Sequence, residues 1–141
     1  MLIPALSFSP DHIHPILVNF TAALVPVSFG SDILGRAFRK QSLHDAAWWT
    51  LLYATAITPF TALAGWLWKR SIGSALPAET IQTHQWLGIS LAVAFVILAF
   101  WRWNIYSRKQ LPGAPYLVIA LIVVLGLVYQ GTLGGAMVFG S

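Results

Sequence analysis

The chain contains no cysteine. That excludes a disulfide frame, a thiolate metal site, an iron–sulfur cluster and covalent c-type haem attachment. Charge is almost as scarce. Only 9% of the 141 residues are Asp, Glu, Lys or Arg, where a soluble domain carries about 25%. The acids number four, Asp11, Asp32, Asp45 and Glu79, and no nucleophile–base arrangement or phosphate-cradling glycine loop accompanies them, which argues against a hydrolase. The eight Lys and Arg form no basic face, so the net charge of +4 is not the footprint of a nucleic-acid binder. No repeat at a regular period and no low-complexity tract is visible. The start lacks the basic residues and small-residue cleavage site of a leader. Leu2 to Pro10 is apolar but short, uncharged and broken by prolines, and reads as mature protein.

What is there is apolar. Hydrophobic residues make up 57% of the chain and the mean hydropathy is +0.73. A water-soluble fold of this size cannot hide that much apolar surface, so lipid must cover part of it. Four apolar stretches stand out, at about 15–38, 46–68, 84–103 and 115–139. Each is close to the roughly 20 residues that cross a bilayer as a helix. The gaps between them are short and polar, which makes sequence neighbours antiparallel neighbours in a bundle. The expected fold is all-α: one integral membrane four-helix bundle over residues 1–141, running up-down-up-down.

Lys and Arg near the span ends give an orientation. Arg36, Arg39 and Lys40 surround the first loop and Arg102, Arg108 and Lys109 the third, whereas the second has only Lys69 and Arg70. Six against two puts loops one and three in the cytoplasm. Both termini and the second loop are then periplasmic, in a multi-pass protein of a bacterial inner (plasma) membrane. All seven tryptophans fall near span ends, Trp48, Trp49, Trp101 and Trp103 toward the cytoplasm and Trp66, Trp68 and Trp86 toward the outside. There an indole buries its ring and keeps its N–H wet.

Local signals suggest the helix details. His14-Pro15 reads as a cap followed by proline at the first helical position. Asp45 reads as the cap of the second span, and Asp32 and Arg36, four apart, as a pair on one face of the first. Pro26 and Pro59 lie inside spans and predict kinks. Thr55, Thr58, Thr61 and Gly65 recur at helical spacing along the second span, as close helix packing requires.

Chemistry concentrates on the histidines. His14 opens the first span and His84 the third, two helices expected to run in the same direction, so both imidazoles fall at nearly one depth on the outer side. Gly65 ends the second span, Gly131, Gly134 and Gly135 end the fourth, and Gly88 lies one turn from His84. Two imidazoles at matched depth in a bundle core are what axial ligation of a haem iron needs, and small residues beside them leave clearance for the flat macrocycle. Interfacial histidines also serve as simple helix caps, and glycines as packing contacts. Asn19 and Thr21 are within a turn or two of His14 and can hydrogen-bond a bound group or a neighbouring helix. A second metal reading joins His12, on the same face as His14 if the segment is extended, to His14 and His84 as a three-nitrogen copper or zinc site, with Asp11 as a further ligand or supporting partner. His44 has no histidine partner at its own end.

Three segments resemble a known family. His14-Pro-Ile-Leu-Val-Asn-Phe is similar to the His-Pro-x-x-Val-His-Phe-Pro opening of small bacterial four-helix membrane proteins catalogued as domain of unknown function 2231. Thr83-His84-x-x-Leu-Gly88 resembles their third-span histidine segment. Gly131-Thr-Leu-Gly-Gly-Ala-Met-Val-Phe-Gly140 resembles their Gly-His-Leu-Gly-Gly-x-Leu-Val-Tyr-x-x-Gly ending. Asn19 and Thr132 stand where the family pattern has histidines, so of four such positions this chain keeps His14 and His84. The resemblance implies a membrane-embedded haem-binding or redox-associated module.

The first expectation is therefore a b-type haem protein with His14 and His84 as axial ligands, Asn19, Gln130 and Thr132 near the group, and one-electron transfer with a periplasmic cytochrome, a quinol or another membrane subunit. The alternative is a cofactor-free accessory subunit of a larger respiratory or transport complex. A transporter ranks third, because the four acids lie near or beyond the span ends.

Overall fold

The computed structural model describes residues 10–72 and 78–139, with side chains from 13 to 70 and from 78 to 137. Four helices account for nearly all of them: α1 (Pro10–Phe38), α2 (Gln41–Ile72), α3 (Ala78–Ser107) and α4 (Ala114–Phe139). All four are long and apolar enough to cross a membrane. At 1.5 Å per residue each runs about 40–48 Å, more than the ~30 Å of a hydrocarbon core.

Three of the helices start five or six residues before their apolar stretches. Hydropathy marks where a helix enters lipid, not where its backbone begins, and a helix can continue into the wet interface because its hydrogen bonds are internal. Three local readings change as a result. Pro15 lies inside α1 rather than at its first position. Asp45 lies in the second turn of α2 and accepts a hydrogen bond from Gln41 Nε2 at 3.1 Å instead of capping the helix. Arg36 donates to the Pro112 carbonyl at 3.2 Å and leaves Asp32 to other partners.

Each helix packs against its neighbours in sequence, and α4 closes the ring against α1, so α1 faces α3 and α2 faces α4 across diagonals without backbone contact among the described residues. Both short turns are built alike. Arg39 and Lys109 take positive φ (54° and 53°). The next residue then donates back to the last helical turn, Lys40 N–H to Gly35 O and Gln110 N–H to Ile105 O, each at 3.0 Å. This paired closure of a helix end usually uses glycine at the left-handed position; here both are basic.

The interior is layered. Its middle is apolar, with Leu51, Ala54, Phe95 and Leu98 almost fully buried and Val25, Leu91, Val123 and Leu127 around them. Outward-facing positions are apolar as well; Phe100 is 73% exposed and Phe20, Phe60 and Ile122 more than half. Exposure of that kind suits a lipid solvent, not water.

One end of the interior is polar and closed. Arg102 on α3 grips Asp32 on α1 with two hydrogen bonds, Nε–H to Oδ2 at 3.1 Å and Nη2–H to Oδ1 at 2.9 Å. His44 on α2 donates from Nδ1 to Asp32 Oδ1 at 2.8 Å, and its carbonyl accepts from Arg102 Nη2 at 3.0 Å. All three side chains are at most 3% exposed. Nearby, Ser28 Oγ donates to the Ala47 carbonyl at 2.7 Å, and Trp48 is buried against Trp103 and Tyr106.

Candidate functional site

The opposite end of the interior is hollow. A cavity of about 310 Å³ lies among all four helices, with Phe95 and Leu91 among the apolar side chains in its wall. Its walls are mostly apolar despite the threonines in them. Thr21, Thr58 and Thr61 each donate their hydroxyl to the carbonyl four residues earlier, at 3.4, 2.8 and 3.2 Å, so those protons are spent within their own helices.

His14 enters from α1. Its Nδ1 lies 3.0 Å from the Thr61 carbonyl. A carbonyl only accepts, so Nδ1 carries the proton, and in the neutral ring Nε2 is left with a free lone pair. The ring seats directly on Gly65, where a Cβ would come within 2.8 Å of Cε1, and tilts against Trp68 with centroids 5.7 Å apart. Carbonyl and glycine both come from the small-residue stripe of α2, whose spacing reads first as close helix packing.

His84 enters from α3, on the far side of the diagonal. Its carbonyl accepts from Gln130 Nε2 on α4 at 2.9 Å, and that amide lies over Gly88, where a Cβ would sit 3.0 Å from it. The ring's Cε1 is 3.4 Å from the place a Cβ on Gly134 would take. Two buried polar atoms here, His84 Nδ1 and Gln130 Oε1, have no partner among the described residues. At the rim, Lys69 Nζ donates to Gln85 Oε1 at 2.6 Å, and the Arg70 guanidinium stands 4.1 Å over the Trp66 ring.

The residues singled out from sequence divide cleanly. The structure brings His14, His84, Gly65, Gly88, Thr21 and Gln130 to one cavity and sets Gly134 against the His84 ring. It does not bring Asn19 or Gly131 there: both are exposed, and a Cβ at Gly131, as at Gly135, would meet nothing within 4 Å. Thr132 is exposed too and bonds to the Tyr129 carbonyl. The extended His12-Ile-His14 segment becomes a correction. Residues 10–14 are helical, and positions two apart on a helix point to different faces. The side chains of Asp11 and His12 lie outside the described residues. Among the described residues no group of three or more His, Cys, Asp or Glu could hold a metal ion; the His12 member of the three-nitrogen reading lies outside them.

The cavity's nitrogen donor set is two imidazoles. It offers one imidazole fixed by a carbonyl at Nδ1, as axial ligands commonly are, and a second imidazole with an unmatched ring nitrogen. The volume is a tighter constraint, since 310 Å³ is at the small end of cofactor pockets and a tetrapyrrole is larger, so its walls must part to admit one.

A family model described as "Predicted membrane protein (DUF2231)" matches residues 10–141. Comparison with curated proteins and with solved structures finds no match.

Proposed function

The chain belongs to the DUF2231 family of predicted membrane proteins, and we propose that it is a membrane-embedded b-type haem protein for one-electron transfer near the periplasmic face. One observation carries the reading: two imidazoles from diagonal helices line a single cavity, one holding its proton at Nδ1 against the Thr61 carbonyl and the other with a buried Nδ1 that has no partner among the described residues. Haem would supply the one-electron couple when bound.

The chain's own residues do the holding. The Thr61 carbonyl fixes the tautomer and plane of His14, and Gly65 lets the ring lie flat against α2. Gln130 ties α4 to the start of α3 beside His84. The apolar walls exclude water and so hold the potential to that of a buried group.

The arrangement is up-down-up-down with both termini periplasmic. Arg102 is spent in an interior ion pair, and the remaining cations still divide five to two, Arg36, Arg39, Lys40, Arg108 and Lys109 against Lys69 and Arg70. The positive-inside rule then turns the cavity end outward in a bacterial inner membrane. Exchange with a periplasmic cytochrome or with quinol suits that depth.

The test is the absorption spectrum of protein purified from haem-sufficient cells. A Soret band and a sharp reduced α-band are expected, both lost in His14→Ala and in His84→Ala and retained in Asn19→Ala. A colourless protein that is folded overturns the reading in favour of a cofactor-free accessory subunit, for which the cavity's small volume is the supporting observation.

A further inference from the structure

Asp32 lies 18 residues after His14 on α1, and Arg102 lies 18 residues after His84 on α3. Eighteen residues are five turns of an α-helix, about 27 Å. Each histidine therefore shares a helix face with the charged residue at the other end. These are the two faces that look at each other across the α1–α3 diagonal. At one end the diagonal is spanned by the two-pronged Arg102–Asp32 bridge, and at the other it is open as the cavity.

We infer that the Asp32–Arg102–His44 layer is a positioning element that sets the relative depth and separation of His14 and His84; the inference rests on the reading that these two imidazoles act as a pair. The physical case has three parts. Helices α1 and α3 have no backbone contact among the described residues, so ridge-into-groove packing between them cannot fix their sliding register. A guanidinium fork on a carboxylate can, because both prongs align only at one depth and one rotation, which a lysine would not impose. The layer is also tied to the rest of the bundle: His44 docks it to α2 through Asp32 and through its own carbonyl, its ring pressed against α1 where a Cβ on Gly35 would lie 3.0 Å away. With one end pinned, two continuous helices in phase over five turns, α1 with Pro15 and Pro26 inside it, carry that alignment to the histidines. A buried ion pair is weak evidence for stability, and a role in alignment gives this one a use.

Because the chain has no cysteine, Ala22→Cys on α1 and Ser90→Cys on α3, both exposed positions, would carry nitroxide labels at two sites only. The distance between them is read by pulsed electron paramagnetic resonance in three backgrounds: unaltered, Arg102→Gln, and Asp32→Asn with Arg102→Gln. The double change removes both buried charges and leaves His44 an acceptor, so it is expected to fold where the single change leaves the Asp32 charge without its guanidinium. A positioning role predicts that the distribution broadens or its centre moves by about 2 Å or more, the scale of helix shifts, while circular dichroism shows the helices intact. An unchanged distribution in the folded double variant overturns the inference. If the unlabelled protein binds no haem yet the distribution shifts, the haem reading fails and the positioning role stands. If haem binds and the distribution is unmoved, the reverse holds.

Discussion

At the scale of single residues, the glycines show what the site asks of the chain and what sequence can say about it. Gly131, Gly134 and Gly135 look equivalent in a one-dimensional string, yet only Gly134 meets a histidine ring. A one-residue step turns a helix by about 100°, and nothing in the string says which face is inward. Gly65 is the most constrained, since its own Cβ would lie 2.8 Å from a ring already held by the Thr61 carbonyl. Gly65→Ala is expected to cost about 1–3 kcal/mol as overpacking and to weaken whatever His14 binds. Gly131→Ala, with open space around it, is expected to gain up to about 1 kcal/mol from helix propensity. Unfolding by denaturant in the same detergent, with the Soret band as a second readout, checks both. Equal effects at the two positions would remove the special seat given to His14.

At the scale of elements, periodicity finds the four helices but not their ends or their partners. The polar starts Gln41–Asp45 and Ala78–Thr83 are helical, although neither is apolar enough to be seen by hydropathy. The local four-residue rule pairs Asp32 with Arg36, whereas the structure pairs it with Arg102, 70 positions away. The five-turn spacing that links the two charges to the two histidines is present in the sequence, but it acquires meaning only once α1 and α3 are known to face each other. The turns offer a direct test of strain against charge. Lys109 has a φ of 53°, a region that costs a residue with a Cβ roughly 1 kcal/mol or more relative to glycine. Lys109→Gly should therefore raise the thermal midpoint by relieving the end of α3, because the backbone bonds that close it need no side chain. A lowered midpoint would mean that the ammonium group makes a contact worth more than the strain.

At the scale of the whole molecule, the bundle has a buried charged layer and a histidine-flanked cavity about five turns apart with an apolar middle between them, a separation of about 27 Å that nearly matches a hydrocarbon core. One layer is filled by an ion pair and a histidine, the other is a cavity flanked by two histidines, and the cations crowd the filled end. Composition alone makes the membrane legible, and charge counting supplies an expected direction. Only the packed structure separates a cation that orients from one that is buried, as Arg102 is. If the five remaining cations near the two tight turns set the topology, single cysteines placed in this cysteine-free chain will report it. Lys40→Cys and Lys109→Cys should react with a membrane-impermeant maleimide only in inside-out vesicles, and Arg70→Cys only in intact spheroplasts. The opposite pattern would put the histidine cavity at the cytoplasmic face, and a periplasmic electron carrier could then no longer be its partner. A mixed pattern would show that two basic residues near the second loop suffice to compete with five. In that case neutralising Lys69 and Arg70 together should restore a single orientation.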